Sequence, residues 1–393
     1  GYKQFIILDG KYNEKQYDNI STPIFSPDSS RVAYAVKLGD KQSVVVDGEE
    51  GKQYDAVEED SLIFSPDSMH FAYAVAAGDR RFVVMDGKEE KRYTAIGIPV
   101  FSPDSKRVAY AAGLRDRQFA VVDGKEESYY DIVGTPVFSP DSKHVAYAAG
   151  MNGKWFMVVD RKEDKQYDAI GTPVFSPDSK RLAYIAQIGE KQFIVADSRM
   201  GRQYNAVSTP IFSSDSKRLA YIAQMGDVQF VVVDGREGEQ YSAIGDDSIT
   251  FSLDSIRLAY IAQTGSKWFV VVDGREGKLY DAIGEGDPVF SPNSKRIAYT
   301  AQAGDKWLAV VDGKEGRPHD IIGEGTLVFS PDSEHVAYAA GTEYKWFVVV
   351  DGMAGRRYND IVGGGRVVFD SPRNLHYLAE KKGFIYLVEE RLR

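Results

Sequence analysis

Short, unbroken apolar runs recur along the chain, each bounded by polar turn residues. In a typical run, Phe230, Val231, Val232 and Val233 follow one another with no polar residue between them. A strand with one solvent-exposed face would alternate apolar and polar positions. A continuous β-branched run therefore indicates a strand that is buried on both faces. Sheets packed between two neighbouring sheets meet this requirement, as the blades of a β-propeller do.

A motif of the form Phe-Ser-Pro-Asp-Ser, or a close variant, marks each unit. Proline presets φ and aspartate accepts local backbone hydrogen bonds, so the motif predicts a tight turn between two strands. Successive copies lie 37 to 40 residues apart, which is the length of one four-stranded propeller blade. The copies begin at Phe25, Phe64, Phe101, Phe138, Phe175, Phe212, Phe251, Phe290 and Phe329, with a degraded copy at Phe369.

Each unit contains segments for four strands, which we call A, B, C and D in chain order. Strand A precedes the Ser-Pro-Asp-Ser turn, strand B follows it, and strand C is the apolar run. Strand D is a Tyr-Asp-Ala-Ile segment, as at 167–170. Glycines such as those within 312–316 permit the positive φ of the turn after strand C.

These segments predict an all-β fold, a single closed β-propeller of about ten four-stranded blades over residues 1–393. Residues 366–390 would supply strands A, B and C of a last blade, and residues 16–20 its outer strand, which removes open sheet edges. Residues 5–8 and 384–387 both have the pattern of strand C and compete for one place. Nine blades with unpaired ends is therefore the alternative.

Composition narrows the classes of partner. The net charge of -10 argues against binding to nucleic acid or to an anionic membrane surface, since clustered lysine and arginine hold both. No apolar run reaches the length of about 18 residues that spans a membrane, so no membrane insertion is expected. The absence of cysteine excludes disulfides and cysteine metal sites.

The Phe-Ser-Pro-Asp-Ser motif followed by an apolar strand resembles the WD40-like repeat called PD40, found in the propeller of the TolB family. The resemblance covers nearly the whole chain, although this sequence has Pro-Asp-Ser, as at 27–29, where that family has Pro-Asp-Gly. It implies a propeller in a bacterial periplasmic or other extracytoplasmic setting, in contact with other proteins. It does not imply one activity, because propellers host several.

Length varies between units mainly in the loop from strand D to strand A. The longer loops are 58–61, 245–248, 284–287, 323–326 and 363–366. In a propeller these loops lie on the same face as the B to C loops, and several carry acids, so we expect a partial acidic rim at the channel mouth. The acids are Glu58, Glu59, Asp60, Asp246, Asp247, Glu285, Asp287 and Glu324.

Glutamines at the end of strand B and tryptophans at the start of strand C fall in overlapping blades on that face. Acid, amide and aromatic groups together can bind a cationic protein segment, a glycan or a metal ion. Alternatively, the tryptophans fill space between blades, the glutamines hydrogen-bond locally and the acids are merely solvated. These residues are Gln187, Gln224, Gln263 and Gln302, with Trp268, Trp307 and Trp346.

A further set of aspartates follows the tyrosine of strand D. We interpret these as exposed edge charges that discourage pairing with another sheet. They are Asp18, Asp55, Asp131, Asp168 and Asp281.

No catalytic set is recognisable. His70, His144 and His335 occupy the start of strand B, where other units have arginine, and look like surface substitutions. No His, Asp and nucleophile set converges from separate blades. We therefore expect a monomeric, non-enzymatic binding or scaffolding module without cofactor or metal, whose rim takes a protein or small ligand. The alternatives are a carbohydrate-active or other hydrolase that uses rim carboxylates, and a structural protein that self-assembles.

Overall fold

The computed structural model describes residues 3–8, 11–12, 15–58, 60–286, 288–342 and 344–392. The chain forms two compact units, residues 1–201 and 202–393. In the described residues every regular element is a β-strand, and no helix that could cross a membrane occurs there. The single domain over 1–393 stays a prediction.

The first complete blade shows how the repeat folds. Its strands are β3 (Asn19–Ile20), β4 (Ile24–Phe25), β5 (Val32–Leu38), β6 (Lys41–Val46) and β7 (Glu49–Glu50). Between β4 and β5, Asp28 accepts hydrogen bonds from the Ser26 hydroxyl (2.7 Å) and the Ser30 amide (3.0 Å). Ser29 takes a φ of 60°, which reverses the chain. The predicted tight turn is confirmed.

Two strands precede this blade, and eight blades with the same five strands follow it. The preceding pair is β1 (Ile7–Leu8) and β2 (Lys11–Tyr12). The remaining blades of the N-terminal unit contain β8 (Ala56–Val57), β9 (Ile63–Phe64), β10 (Phe71–Ala77), β11 (Arg80–Met85), β12 (Lys88–Glu89), β13 (Ala95–Ile96), β14 (Val100–Phe101), β15 (Val108–Leu114), β16 (Arg117–Val122), β17 (Lys125–Glu126), β18 (Ile132–Val133), β19 (Val137–Phe138), β20 (Val145–Met151), β21 (Lys154–Val159), β22 (Lys162–Glu163), β23 (Ala169–Ile170), β24 (Val174–Phe175), β25 (Leu182–Ile188), β26 (Lys191–Ala196) and β27 (Arg199–Met200).

The C-terminal unit continues the pattern and ends in a blade of different composition. Its regular blades contain β28 (Ala206–Val207), β29 (Ile211–Phe212), β30 (Leu219–Met225), β31 (Val228–Val233), β32 (Arg236–Glu237), β33 (Ala243–Ile244), β34 (Thr250–Phe251), β35 (Leu258–Thr264), β36 (Lys267–Val272), β37 (Arg275–Glu276), β38 (Ala282–Ile283), β39 (Val289–Phe290), β40 (Ile297–Ala303), β41 (Lys306–Val311), β42 (Lys314–Glu315), β43 (Ile321–Ile322), β44 (Val328–Phe329), β45 (Val336–Thr342), β46 (Lys345–Val350) and β47 (Met353–Ala354). The last blade contains β48 (Asp360–Ile361), β49 (Val367–Ser371), β50 (Asn374–Lys381) and β51 (Phe384–Arg391).

Strand D differs from its prediction, because it is shared between two sheets. Tyr54 forms a β-bridge with Gln42 on the outer side of its own blade. The residues that follow, in β8, pair instead with β10 of the next blade, beside β9. The inner edge of each such sheet is therefore built from two short strands, and one segment of chain belongs to two adjacent blades.

Apolar side chains on both faces of each sheet join adjacent blades. Tyr54 is buried and packs edge-to-face on Phe82 of the next blade, with ring centroids 5.6 Å apart. Along β11, Val84 packs with Phe82 and Tyr54 in one cluster, whereas Val83 packs on the other face with Tyr110 of the following blade. The prediction that strand C is buried on both faces is confirmed.

The predicted fold class is confirmed: the chain is all-β and forms ten antiparallel, propeller-type sheets of four or five strands. Residues 16–20 have described partners in the N-terminal unit, since Tyr17 bridges Gln4 and Ile20 pairs with Val36. Both segments with the pattern of strand C form strands, in β1 and β51. Closure of the ring through the two ends stays a prediction.

The aspartates after the strand D tyrosine are exposed, except for the half-buried Asp168, and several of them also link adjacent blades. Asp55 accepts hydrogen bonds from Lys41 Nζ in its own blade (2.5 Å) and from the Gly78 amide in the next blade (2.6 Å). Asp168 and Asp281 make the corresponding contacts. These side chains link adjacent blades, which the sequence pattern alone does not reveal.

An arginine at the start of strand B also clamps one blade to the next. Arg107 pairs with Asp123 of its own blade (3.0 Å) and donates to the carbonyl oxygens of Ser142 and Lys143 in the next blade (2.9 Å each). In that next blade the position is occupied by His144, which pairs with Asp160 in the turn after strand C. His70 and His335 pair with the corresponding aspartates of their own blades. An imidazole lacks the long, forked donor set of arginine, so these histidines mark blades without this clamp.

We expect His144→Arg to stabilise the protein by about 0.5–1.5 kcal/mol, because arginine can keep the pair with Asp160 and add donors for the carbonyl groups of Ser179 and Lys180. Urea unfolding would show the gain as a higher midpoint. His144→Lys is the control, because lysine has a positive charge but lacks the forked set of donors of a guanidinium group. Equal gains from lysine and arginine would contradict the clamp.

The turn aspartates make stability sensitive to acid. Hydrogen bonds from the Ser213 hydroxyl (2.7 Å) and the Lys217 amide (3.1 Å) lower the pKa of Asp215 to about 2. A carboxylate with a lowered pKa stabilises the fold above its unfolded pKa of about 4, and this contribution is lost as the pH falls toward 2. Asn293 makes the same contacts in another blade, at 2.8 and 3.0 Å.

We therefore expect Asp215→Asn to keep the turn and to make the free energy of unfolding less dependent on pH between about 4 and 2. Urea unfolding at pH 7 and at several values down to pH 2 would measure this. An unchanged pH dependence would show that Asp215 titrates alike in the folded and unfolded chain.

Candidate functional site

The longer loops between strands D and A form compact, clamped turns. Ser248 Oγ donates to the carbonyl oxygen of Gly245 (2.7 Å) and accepts from the amide of Ile261 in β35 (3.1 Å). This clamp holds Asp246 and Asp247 at the exposed tip of the turn. The two additional residues therefore project outward without disturbing the sheet beneath them.

A groove of about 550 Å³ lies beside this turn in the C-terminal unit. Asp246, Asp247, Trp268 and Glu285 line it, together with the backbone of 284–286. Trp268 and the Asp246 turn come from one blade and Glu285 from the next. The structure thus brings together four of the predicted site residues, which we call the acidic groove.

Glu324 lies in the turn next to the groove and does not line it. A Cβ atom on Gly286 would lie 3.7 Å from the Cα atom of Gly325, so the two turns are in contact. Thr326 clamps the second turn through the carbonyl oxygen of Gly323 (2.8 Å). Of the predicted rim residues, Glu59 and Asp287 lie outside the described residues.

Glu58 and Asp60 belong to the N-terminal unit. Glu58 forms an ion pair with Arg81 (2.9 Å), so its charge is compensated. Asp60 is exposed and takes a φ of 56°. This turn repeats the clamp, since Ser61 Oγ donates to the Glu58 carbonyl oxygen (2.7 Å).

Two of the four predicted glutamines serve local structure. The side-chain amides of Gln187 and Gln224 donate to the carbonyl oxygens of glycines two residues later, at 2.8 and 3.0 Å. Gln263 and Gln302 lie opposite Trp268 and Trp307 on the neighbouring strand. None of the four lines the acidic groove.

The predicted tryptophans are half-buried and pack between blades. Trp307 contacts the cluster that contains Ile322 and Phe329 of the next blade. Trp346 packs on the cluster of the last blade. Trp268 packs in the same way and also lines the acidic groove. The interpretation that tryptophans fill space therefore accounts for Trp307 and Trp346 but leaves a second role open to Trp268.

A different set of glutamines, at the second residue of strand C, has a role that sequence reasoning missed. Gln229 Oε1 accepts a hydrogen bond from the Ile244 amide in the next blade (2.7 Å), and Gln42 does the same for Val57 (2.7 Å). Trp268 occupies this position in its blade, and an indole cannot accept such a bond. The signal in the sequence is that this position holds only glutamine, tryptophan or, at Arg81, arginine.

The carboxylates of the acidic groove differ from the aspartates that form ion pairs elsewhere in the same blade. Asp273 pairs with Arg257 (2.9 Å) and Asp281 with Lys267 (2.5 Å). In the part of the chain that the structure describes, no ion pair involves Asp246, Asp247 or Glu285. No group of three or more His, Asp and Glu side chains among the described residues is placed to hold a metal ion.

Neither a protein-family model nor a curated protein matches this sequence. Among solved structures, a eukaryotic initiation factor is 13% identical over 84% of this chain and 96% of its own, with a TM-score of 0.44. The propeller domain of the trilobed protease from Pyrococcus furiosus is 15% identical over 66% and 94%, with a TM-score of 0.32. The acylaminoacyl peptidase from Pyrococcus horikoshii is 14% identical over 66% and 52%, with a TM-score of 0.30.

We expect Gln229→Leu to destabilise the protein by about 1–3 kcal/mol, because the buried amide of Ile244 loses its acceptor. Gln224→Leu is the matched control, since the partner of Gln224 is an exposed turn carbonyl that water can satisfy. Urea unfolding of both variants would measure the difference. Equal losses would show that the bond to Ile244 contributes nothing specific.

Proposed function

We propose that this protein is a non-enzymatic binding module whose acidic groove receives a cationic group of a protein partner. A lysine or arginine side chain is the group that best fits the chemistry. The observation that carries the proposal is the set of three carboxylates, Asp246, Asp247 and Glu285, that line one groove without a described basic partner.

Trp268 adds a second attraction for a cation. A cation over an indole face gains about 0.5–1 kcal/mol at an exposed site, and each exposed carboxylate pair gains about 0.2–1 kcal/mol. Lys267 does not compete for the groove carboxylates, since it is held by Asp281 at 2.5 Å. The three carboxylates and the indole each attract a cation weakly, and together they give the groove a preference for positively charged groups.

The size of the acidic groove supports a side chain or short segment as its ligand. Its volume of about 550 Å³ is within the range of about 300–1,000 Å³ that is typical of ligand sites. A larger partner would contact the exposed turns around it, where Glu324 adds another acid.

Binding is favoured over hydrolysis by the setting of the carboxylates. A hydrolase with paired carboxyl groups needs one of them in an apolar environment that keeps it protonated. Asp246 and Asp247 instead stand at the exposed tip of a turn. Such groups attract a cation but are poor general acids.

The repeat motif supports a proposal about the setting of the module. The Phe-Ser-Pro-Asp-Ser turns resemble the PD40 repeats of TolB-type propellers, and we propose an extracytoplasmic, protein-binding role of that kind. The groove chemistry does not depend on this assignment.

A hexa-arginine peptide and its hexa-citrulline counterpart test the acidic groove. Citrulline keeps the shape of arginine and removes its charge. We expect the triple variant Asp246→Asn, Asp247→Asn, Glu285→Gln to bind hexa-arginine roughly tenfold more weakly than the native protein, because three weak ion pairs are lost. Calorimetry or fluorescence anisotropy at 50 and 300 mM salt would measure the affinities.

The matched control is Asp227→Asn, Glu239→Gln, Glu334→Gln, which removes the same charge from exposed positions that do not line the groove. This control should bind hexa-arginine like the native protein. Equal weakening in both triple variants would reduce the effect to net charge and would contradict a defined site.

A further inference from the structure

In two blades of the N-terminal unit, a carboxylate accepts a hydrogen bond from a buried tyrosine of the next blade. Glu127 follows β17 and accepts from the hydroxyl of Tyr147 (2.9 Å). Asp164 follows β22 and accepts from the hydroxyl of Tyr184 (3.0 Å). Both tyrosines are buried, so the chain supplies its own carboxylate to satisfy a hydroxyl that water does not reach.

Gly316 occupies the equivalent position in the C-terminal unit and has no side chain to offer. Its amide donates to the carbonyl oxygen of Ala309 (2.8 Å), which is the bond that the amide of Glu127 makes in its own blade (2.9 Å). A Cβ atom on Gly316 would lie 3.8 Å from the hydroxyl of Tyr338 in the next blade. Tyr338 is buried, and the one hydrogen-bond contact of its hydroxyl among the described residues is a long one, 3.5 Å to Nε2 of His319.

A groove of about 340 Å³ lies where the carboxylate would be, and we call it the tyrosine groove. Tyr338, Lys314 and Gly316 line it, and side chains of β41 and β45 form its apolar part. It shares no lining residue with the acidic groove. Its volume is at the lower end of the range of about 300–1,000 Å³ that is typical of ligand sites, so it suits a small group.

The acids that line the tyrosine groove are already paired. The pairs are Asp312 with Arg296 (2.9 Å), Glu315 with Lys278 (2.7 Å) and Asp351 with His335 (2.6 Å). Lys314 is exposed and forms no ion pair within the part of the chain that the structure describes. The groups left to meet a ligand are a hydroxyl donor and an ammonium group, and both favour an anion.

We propose that the tyrosine groove binds a carboxylate from outside the chain, at the position that Glu127 and Asp164 fill with their own side chains. The hydroxyl of Tyr338 donates to the bound carboxylate, and Lys314 compensates its charge. The apolar part of the groove receives a short hydrocarbon stem. A free short-chain acid and a glutamate side chain of another protein both present this chemistry.

Butyrate carries a carboxylate on a short apolar stem and is the first probe. Butyramide keeps the shape and removes the charge. In an NMR titration of the full chain at constant ionic strength, butyrate should cause saturable shifts of the Gly316 and Lys314 amides, and butyramide should bind at least roughly tenfold more weakly. Equal binding of the two probes, or no saturable shift with butyrate, overturns the proposal.

Gly316→Glu tests the site by filling it. The variant copies the residue found at Glu127, so its own carboxylate should occupy the tyrosine groove and weaken butyrate binding at least roughly tenfold. Gly51→Glu is the matched control, since Gly51 has the same position in the N-terminal unit, beside Glu49 instead of a lysine. Undiminished butyrate binding in Gly316→Glu, or an equal loss in Gly51→Glu, overturns the proposal.

Tyr338→Phe tests the hydroxyl without adding bulk. It should weaken butyrate binding by roughly tenfold or more, because a hydrogen bond to a charged acceptor is lost while the ring remains. Tyr73→Phe is the matched control, because Tyr73 faces Gly51 in the N-terminal unit. An affinity for butyrate that Tyr338→Phe leaves unchanged overturns the role of the hydroxyl and with it the proposal.

A second pair of probes separates the two sources of the carboxylate. The tripeptide Ala-Glu-Ala with both ends blocked carries one carboxylate on a side chain, and Ala-Gln-Ala is its neutral counterpart. Tighter binding of the glutamate peptide than of butyrate assigns the groove to a side chain of a protein partner, and the reverse order assigns it to a free acid. Equal binding of the two peptides, together with failure of butyrate, overturns both; neither result depends on the cation bound by the acidic groove.

Discussion

Each regular sheet of this protein carries apolar side chains on both faces, so a blade cannot be buried without a neighbour on each side. In β11, Phe82 and Val84 pack toward the preceding blade and Val83 toward the following one. Burial of each such side chain contributes about 1.5–3 kcal/mol. Stability therefore resides largely in the interfaces between blades, as in other repeat proteins, and the remaining contacts serve to hold those interfaces in register.

The polar contacts between blades follow from that constraint. The side chains of two sheets can interdigitate only if neither sheet slides past the other along its strands. The shared strand D and contacts such as those of Asp55 and Arg107 prevent this sliding at different points along the strands. The repetition also permits a residue at one repeated position to be replaced by another type, because the loss of one contact leaves several others at the same interface. His144 in place of arginine, and Trp268 in place of glutamine, are exchanges of this kind.

The departures from the repeat lie where they do not disturb the packing between blades. The turn of Asp246 and Asp247 adds two residues at an inner edge, and Ser248 restores the backbone hydrogen bonds beneath them. The last blade departs from the pattern in another way, because its strands β50 and β51 pair over eight residues.

The repeat, the all-β fold, the Ser-Pro-Asp-Ser turn and the loops that carry the acids could all be predicted from the sequence, because strand periodicity and turn chemistry depend on neighbouring residues. The sharing of strand D between two sheets, and the hydrogen bonds by which Asp55 links two blades, became visible only in the folded structure. The tertiary structure also decided that Asp246, Asp247 and Glu285 meet beside Trp268 whereas Glu324 and the glutamines lie elsewhere. These outcomes depend on the register between adjacent blades, which is set by packing contacts between residues far apart in the chain.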